Sequence, residues 1–194
     1  GIGDIYHLSG IVWRHGHGKK SVDVDASVCD IFSPCAAAAM YRRSVLHTIG
    51  GFDEDYFCYN EDIDLGFRLR LTGKKAIYVP DAIVHHVGYA SSGGSHSDFA
   101  LFYGQRNVVW TFVKNMPSYL FCLLLPVHIM MNIIFVVIFA TRGQFGVVIR
   151  SKWAAVVKLP KIWKKRRQIQ TKRVAGIRAI WKALDKRIIP MRGC

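Results

Sequence analysis

The chain has 194 residues, of which 51% are hydrophobic, and a formal net charge of +14 at pH 7. This length suits one ordinary domain with an appendage, and the hydrophobic fraction allows a true core. The cysteines are scattered, odd in number and without a CxxC pair, which argues against a disulfide framework or a zinc finger and is consistent with a reducing cytosol: Cys29, Cys35, Cys58, Cys122 and Cys194.

The charge is distributed unevenly. Residues 1–116 hold 11 Lys and Arg and 12 Asp and Glu, a balance of −1, whereas residues 117–194 hold 16 Lys and Arg and a single acid, a balance of +15. The basic tail suits an anionic membrane surface or an anionic polymer. The first residues, GIGDIYHLSG, contain neither Met nor a signal-peptide pattern, so we expect the chain to begin inside a longer protein.

Short extended segments and one helix are predicted over the first fifty residues. Residues 5–13 predict a strand broken at Gly10, and a second short strand ends at Phe32. The small-residue run Cys35–Ala39 lets a backbone come close, either through tight packing or as the wall of a pocket. Helical periodicity follows and stops at Gly50-Gly51.

An acidic cluster precedes a segment with two conflicting signals. Six of the thirteen acidic residues lie within 53–64. The apolar positions 63, 65, 67, 69 and 71 alternate as they do in a strand. However, Asn60 is a favourable N-cap, three acids fall in the first turn where the helix dipole favours them, and Gly73 suits the position after the last turn. We therefore predict a helix from about Glu61 to Thr72.

The residues after this helix suggest a site. KKAIYV predicts a strand that ends at Pro80, and AIVHHVG predicts another extended segment. A carboxylate on the first helical turn could act as a general base while its neighbour orients it or meets a cation. His86 could bring a neutral imidazole beside such a carboxylate and bind a divalent metal. The alternative is a solvated acidic turn and a structural histidine.

An apolar stretch, YLFCLLLPVHIMMNIIFVVIFA, covers 22 residues without a formal charge and is long enough to cross a bilayer. A buried core helix is the alternative. Pro126 divides it into pieces of 7 and 14 residues, each too short to span alone. The tail mixes Trp and aliphatic residues with Lys and Arg, as interfacial helices do. A single crossing would separate domain and basic tail, so we favour a re-entrant or monotopic insertion, with a single span as the alternative.

One long segment resembles the second half of the catalytic domain of family 2 glycosyltransferases: SPCAAAAMYRRSVLHTIGGFDEDYFCYNEDIDLGFRLRLTGKKAIYVPDAIVHHVGYASSG. It contains, in order, the small-residue run, an Arg-containing helix start, GGFDE, an aromatic, an ED pair, DL, an Arg, a Gly, a strand to Pro and a His. FYGQRNVVWTFVKNMP and WAAVVKLPKIWKKRRQIQ also resemble the rhamnosyltransferase-like bacterial branch. The resemblance implies an α/β chain: the acceptor-side half of an inverting GT-A domain followed by membrane-associated helices.

The resemblance implies three parts: a partial catalytic domain at 1–116, a hydrophobic membrane segment, re-entrant or transmembrane, at 117–141, and a basic amphipathic helical tail at 142–194. It implies transfer of a sugar from a nucleotide-sugar donor to a glycan or lipid-linked acceptor, in cell-surface polysaccharide synthesis at the cytoplasmic face of the bacterial inner membrane. The alternative is a non-catalytic, basic, membrane-peripheral binding module. Nucleic acid is disfavoured as a partner because the tail carries no nucleic-acid motif.

The resemblance also implies residue roles. Asp62 of the ED pair matches the general base, and Glu61 would orient the acceptor or the base. His86 matches a position that in some members helps to hold a divalent metal, Mg²⁺ or Mn²⁺, on the diphosphate, with His85 as the alternative. Asp64 and Arg68 would form an ion pair that locks the helix. The acceptor side would be formed by Phe52, Asp53, Glu54 and, as a ring that stacks on a sugar, Tyr59, with Tyr56 or plain core packing as the alternative.

The sequence departs from the family in one respect. The nucleotide site and the metal-binding DxD motif of the family lie in the first half of the domain, which is not represented here. The DVD at Asp23–Asp25 follows a basic loop and lies too close to the small-residue run, so we do not assign it this role. We therefore expect a fragment, a chain that needs a partner, or a degenerate remnant, inactive alone and dependent on the missing half for its metal.

Overall fold

The structure is a computed structural model that describes residues 1–16, 27–86 and 97–187. It is a mixed α/β structure, mostly helical, with two small sheets. The helices, in chain order, are α1 (Arg43–Ile49), α2 (Glu61–Leu71), α3 (Asp98–Asn115), α4 (Ser118–Thr141), α5 (Phe145–Val157), α6 (Leu159–Thr171) and α7 (Ile177–Ala183).

Each sheet is one antiparallel pair of short strands. The first pair is β1 (Asp4–Tyr6) with β2 (Val12–Arg14), and the second is β3 (Cys29–Ile31) with β4 (Ala76–Tyr78). The predicted strand broken at Gly10 is therefore a hairpin, and Gly10 lies in its turn with φ +86°. A side chain there would also collide with the ring of His128, since its Cβ would lie 2.6 Å from Nδ1.

The prediction of a helix after the acidic cluster is confirmed, because α2 spans Glu61–Leu71 and Thr72 is its C-cap. The alternation of apolar residues misleads here because the helix is buried on all sides: its residues 63–69 are all buried. The expected cap is wrong in detail. Asn60 occupies the N-cap position with φ +62° but makes no side-chain cap, and its amide donates instead to the carbonyl of Gly104 at 3.3 Å.

The predicted division of the apolar stretch at Pro126 is wrong, because α4 continues through it from Ser118 to Thr141. Proline cannot donate to the carbonyl four residues earlier, but the helical bonds on either side remain. Pro126 also lies on the exposed side of the helix. Among the described residues there is thus one helix, of 24 residues, that is long and apolar enough to cross a membrane.

The main core joins all three predicted parts of the chain. Tyr6 stacks on Phe32 with ring centroids 5.2 Å apart, and both rings meet the edge of Phe67 on α2. Leu124 of α4 and Ile180 of α7 belong to the same cluster. A second cluster lies where α3 packs against α5 and α6. Helix α3 is therefore the element on which the acidic turn and the basic tail meet.

Candidate active site

The loop that leads into α2 has an unusual backbone. Phe57, Tyr59 and Asn60 all have positive φ, of 64°, 63° and 62°, which is strained for residues other than glycine. Asn107 of α3 holds this conformation: its buried amide donates to the carbonyls of residues 56, 58 and 59 at 3.1, 2.8 and 2.7 Å. Arg106 adds bonds to the carbonyls of residues 55 and 56. Nothing in the local sequence points to Asn107, since its partners lie about 50 positions away.

Asp62 lies on the first turn of α2 with its carboxylate held by backbone amides. Its Oδ1 accepts from the amide of Ile63 at 2.9 Å and its Oδ2 from the amide of Ala36 at 3.2 Å. Ser33 packs beneath, and its hydroxyl donates to the Asp62 carbonyl at 2.8 Å. Gly66 permits this approach, because a Cβ there would lie 2.2 Å from Ser33 Oγ. The small-residue run is thus a close backbone contact that positions Asp62.

Glu61 and Tyr41 each present a buried polar atom without a hydrogen-bond partner among the described residues, Oε2 and the phenol oxygen. Burial, followed by the charge of Asp62, raises the pKa of Glu61 above its usual value. Burial also raises the pKa of Tyr41, and the charge of Asp62 contributes. Unpaired buried polar atoms are costly. The two unpaired atoms near the Asp62 carboxylate could therefore form hydrogen bonds with the hydroxyl groups of a ligand.

The N-terminal hairpin brings an ion pair to the same region. Asp4 is buried, and its Oδ1 lies 3.0 Å from Nε of Arg14. The backbone amide of Asp4 donates to the carbonyl of Ser33 at 2.8 Å. Burial raises the pKa of Asp4 to about 6, Arg14 opposes this, and the charge of Asp62 adds to it. The sequence analysis did not identify this pair, because nothing in the local pattern links the hairpin to α2.

The acidic turn before the strained loop is neutralised by lysines from α3 and α6. Asp53 lies 2.6 Å from Lys114 and 2.5 Å from Lys165, and Asp55 lies 2.5 Å from Lys161. Burial would raise the pKa of Asp53, but the two lysines outweigh it and hold that pKa well below its usual range. Two positive charges of the tail, Lys161 and Lys165, are therefore paired with acids of the same chain.

The predicted lock within α2 is confirmed and extends to α3. Arg68 Nε lies 2.8 Å from Oδ2 of Asp64, and its guanidinium also donates to the carbonyls of Ile49 and Gly51. Lys114 contacts the other carboxylate oxygen at 2.7 Å. Burial raises the pKa of Asp64, yet Lys114 and Arg68 lower it more, so the net shift is downward. Asp64 therefore stabilises the scaffold around the GG turn.

A cavity of about 530 Å³ lies beside this network, and three of the predicted acceptor-side residues line it: Phe52, Asp53 and Glu54. The ring of Phe52 lies edge-on to that of Tyr41, with centroids 6.1 Å apart, but Tyr41, Glu61 and Asp62 do not line the cavity themselves. Tyr59, the fourth predicted residue, is not among the lining residues, and its ring lies 6.4 Å from that of Phe99. Tyr56 is fully buried in the core.

The described residues do not form a complete metal site. His85 and His86 are exposed at the end of a described segment. Within 1–16, 27–86 and 97–187, no group of three or more His, Cys, Asp or Glu could hold a metal ion. The pair Asp23 and Asp25 lies outside the described residues. A metal bound by His86 would therefore need further ligands, and it remains a prediction.

Comparison with known proteins identifies the segment that carries this site. Residues 25–108 match the sequence profile of a family described as Glycosyltransferase like family 2. The chain is 37% identical over 79 residues to the N-acetylglucosaminyl-diphospho-decaprenol L-rhamnosyltransferase of Mycobacterium tuberculosis, strains CDC 1551 and H37Rv, which covers 37% of this chain and 26% of the relative. It is 46% identical over 57 residues to Rhamnosyltransferase WbbL of Escherichia coli K12, covering 29% and 21%.

The aligned part thus spans about a quarter of the length of these curated relatives. No solved structure matches the chain significantly. The matched segment contains the strained loop, the Glu61-Asp62 pair and the first turns of α3, whereas the Asp4–Arg14 pair and the lysines that meet Asp53 lie outside it. Residues 25–108 therefore match the glycosyltransferase-like family 2, and in this part the chain is similar to rhamnosyltransferases.

Proposed function

We propose that the chain carries the acceptor side of a glycosyltransferase site, and that the protein transfers a rhamnosyl-type sugar from a nucleotide-sugar donor to a glycan or lipid-linked acceptor. The observation that supports this most is the arrangement at the start of α2. One carboxylate, Asp62, is held by two backbone amides, and its neighbour Glu61 has a buried oxygen without a partner. A base needs a fixed position within reach of the proton that it removes.

Asp62 is the proposed general base. It takes the proton from the acceptor hydroxyl as that oxygen attacks the anomeric carbon of the donor. The new carbon–oxygen bond forms opposite the bond between the anomeric carbon and the nucleoside diphosphate. That bond breaks, and the nucleoside diphosphate leaves with the electron pair. This in-line displacement inverts the configuration. The backbone amides of Ala36 and Ile63 hold the carboxylate in one orientation throughout, which saves the entropy of positioning it.

Glu61 and Tyr41 are proposed to position the acceptor. A glycan presents several neighbouring hydroxyls, which both donate and accept hydrogen bonds. The unpartnered Glu61 Oε2 can accept from one hydroxyl, and the Tyr41 phenol can donate to another. Phe52, which contacts Tyr41 and lines the cavity of about 530 Å³, offers an apolar surface to a sugar ring. Asp53 shapes that cavity while its charge is matched by lysines.

The remaining parts of the proposal concern regions beyond this site. The fold is proposed to be the acceptor-side half of a GT-A domain, comprising residues 1–116. Since the alignment spans about a quarter of the relatives, the nucleotide and a divalent cation, Mg²⁺ or Mn²⁺, are proposed to be bound by residues outside this chain together with His86. The cell-surface polysaccharide role and the cytoplasmic face of the inner membrane are proposed as its setting.

The test is release of nucleoside diphosphate from a panel of sugar nucleotides, measured for this chain and for a form extended upstream along its gene. We expect turnover only in the extended form. There, Asp62→Asn should lower kcat by about 10²–10⁴-fold, the usual contribution of a general base. Asp81→Asn, which changes an exposed acid on the turn after β4, is the matched control and should leave kcat unchanged.

Two outcomes would contradict the proposal at different levels. Full turnover by the Asp62→Asn enzyme, with an unchanged circular dichroism spectrum, would refute the assignment of the base. Failure of the extended form to consume any sugar nucleotide would refute the glycosyltransferase activity itself and favour a non-catalytic role.

A further inference from the structure

The long apolar helix α4 exposes one face along its whole length. Its most apolar window has a mean hydropathy of 2.5, and only 11% of that window is buried. Large exposed side chains recur at spacings close to one or two helical turns: Leu123, Met130, Ile133, Ile134, Val137 and Ile138. This spacing places them on one side of the helix. A soluble surface rarely leaves so long an apolar stripe uncovered.

Helix α5, which packs against α4 after the short turn at 142–144, carries a second exposed stripe. Phe145, Ile149, Trp153 and Val156 recur along it at helical spacing, and Trp153 is 68% exposed. We call the two stripes together the apolar face. The opposite sides of both helices are occupied, since Val136 and Phe139 of α4 pack on the buried Val147 and Val148 of α5.

The protein-facing side of α4 is tied to the body by hydrogen bonds at its middle. The Nδ1 atom of His128 lies 2.7 Å from the carbonyl oxygen of Ser9 in the hairpin turn. Asn132 Oδ1 accepts from the ammonium of Lys152 on α5 at 2.5 Å, and this ammonium also donates to the backbone and side-chain oxygens of Gln105 on α3. One lysine thus joins α3, α4 and α5 beside the centre of the apolar helix.

This connection decides how α4 can meet a bilayer. If α4 crossed the membrane, Asn132 would lie near the bilayer centre and would bring Lys152, Gln105 and the adjoining turn of α3 with it. A charged side chain and exposed polar groups at that depth are strongly unfavourable. If α4 instead lies in the plane of the membrane, its apolar face enters the lipid while the hydrogen-bonded side stays with the protein.

The surrounding charges identify the surface that fits. Residues 117–194 carry a balance of +15. Exposed basic side chains stand beside exposed apolar ones in the sequence: Arg150 follows Ile149 on α5, and Lys164 follows Trp163 on α6. Exposed apolar stripes bordered by Trp, Lys and Arg are typical of helices that lie in the interface of an anionic membrane.

We propose that α4 and α5 lie flat in one leaflet of an anionic phospholipid bilayer, with the apolar face among the acyl chains and the Lys152 network on the protein side. The chain would then be monotopic, with both ends of α4 on the side of the acceptor-side site. This inference stands on the exposure pattern and the charges, independently of sugar transfer.

The first test is flotation of the full chain with vesicles of phosphatidylglycerol and phosphatidylcholine. Ile133→Lys on the apolar face should weaken partitioning by about tenfold or more. Ile77→Lys on β4 is the matched control, because Ile77 is 60% exposed and Ile133 is 59% exposed, and it should change partitioning less than about twofold. Equal effects of the two substitutions, or equal binding to vesicles of phosphatidylcholine alone, would overturn the proposal.

The second test distinguishes a flat helix from a span. Single cysteines at Ser118 and Gly143, at the two ends of α4, are placed in a background whose five native cysteines are replaced by serine. After the chain is added to preformed vesicles, a membrane-impermeant maleimide should label both ends. Protection of one end would show a span. A lipid-free dimer that Ile133→Lys converts to monomer, without loss of flotation, would show that a second copy covers the face.

Discussion

The buried lysine of α3 gives the sharpest test of the packing described here. Lys114 is 1% exposed and lies 2.6 Å from Asp53 and 2.7 Å from Asp64, whose side chains are 10% and 0% exposed. Breaking a buried ion pair by removing one partner costs about 3–5 kcal/mol, because the other charge stays buried. In Lys114→Met, Asp64 keeps Arg68, and Asp53 keeps Lys165. We therefore expect the lower end, a loss of about 3 kcal/mol.

The matched control is Lys161→Met on α6. Lys161 pairs with Asp55 at 2.5 Å, but its side chain is 54% exposed. Exposed pairs contribute about 0–1 kcal/mol, so this variant should unfold almost as the wild type does. The assay is urea unfolding of the full chain at pH 7, followed by far-UV circular dichroism. Equal destabilisation by the two substitutions would refute the view that burial makes Lys114 important.

The contacts of Lys114 with Asp53 and Asp64 also predict how stability depends on pH. The pKa values of Asp53 and Asp64 are lowered in the folded chain. Stabilisation from a carboxyl of this kind is present above its unfolded pKa of about 3.9 and is lost as the pH falls through the folded value. Lys114→Met removes a cause of both lowered values. The difference in free energy of unfolding between the wild type and Lys114→Met should therefore be largest at pH 7 and shrink below about pH 4.

Two further substitutions test the packing beneath Asp62. Gly66→Ala should destabilise the chain by about 1–3 kcal/mol, because its Cβ would lie 2.2 Å from the buried Ser33 Oγ. The control is Gly104→Ala in α3, whose Cβ meets no atom within 4 Å and which should be neutral or stabilising in the same unfolding assay. Equal effects of the two substitutions would contradict this contact. Burial raises the pKa of Asp4 to about 6. The protonated carboxyl therefore stabilises the fold fully below the unfolded pKa of about 3.9. This stabilisation, about 3 kcal/mol at most, is lost as the pH rises through about 6. Asp4→Asn should therefore gain stability relative to the wild type between pH 4 and pH 7, and a constant difference across this range would contradict the raised pKa.

Much of the fold around the site followed from local patterns. The charges of the first turn and Gly73 correctly predicted α2 against a strand-like alternation, and the expected Asp64–Arg68 ion pair forms on that helix. The strained loop could not be predicted in the same way. Its conformation depends on Asn107, which contacts the carbonyls of residues 56, 58 and 59 from a helix about 50 positions later.

Pro126 shows why a local rule fails on a long helix. The rule predicts two pieces, because proline removes one hydrogen bond. In the structure the helix continues, since packing of Leu120 and Leu124 on the core and the bonds of His128 and Asn132 hold both sides of the proline in one line. Tertiary contacts therefore outweigh the loss of a single backbone bond.

By itself the sequence determined the resemblance to family 2 glycosyltransferases, the acidic pair that begins α2 and the presence of a basic, apolar C-terminal region, because each depends on residues that are neighbours in the chain. Only the tertiary structure decided how charges separated by 10 to 112 positions are matched. It places Lys114 and Lys165 on Asp53, Arg14 on Asp4, and Lys152 against the middle of α4. Such pairings depend on which surfaces the core brings together, and no local pattern encodes them.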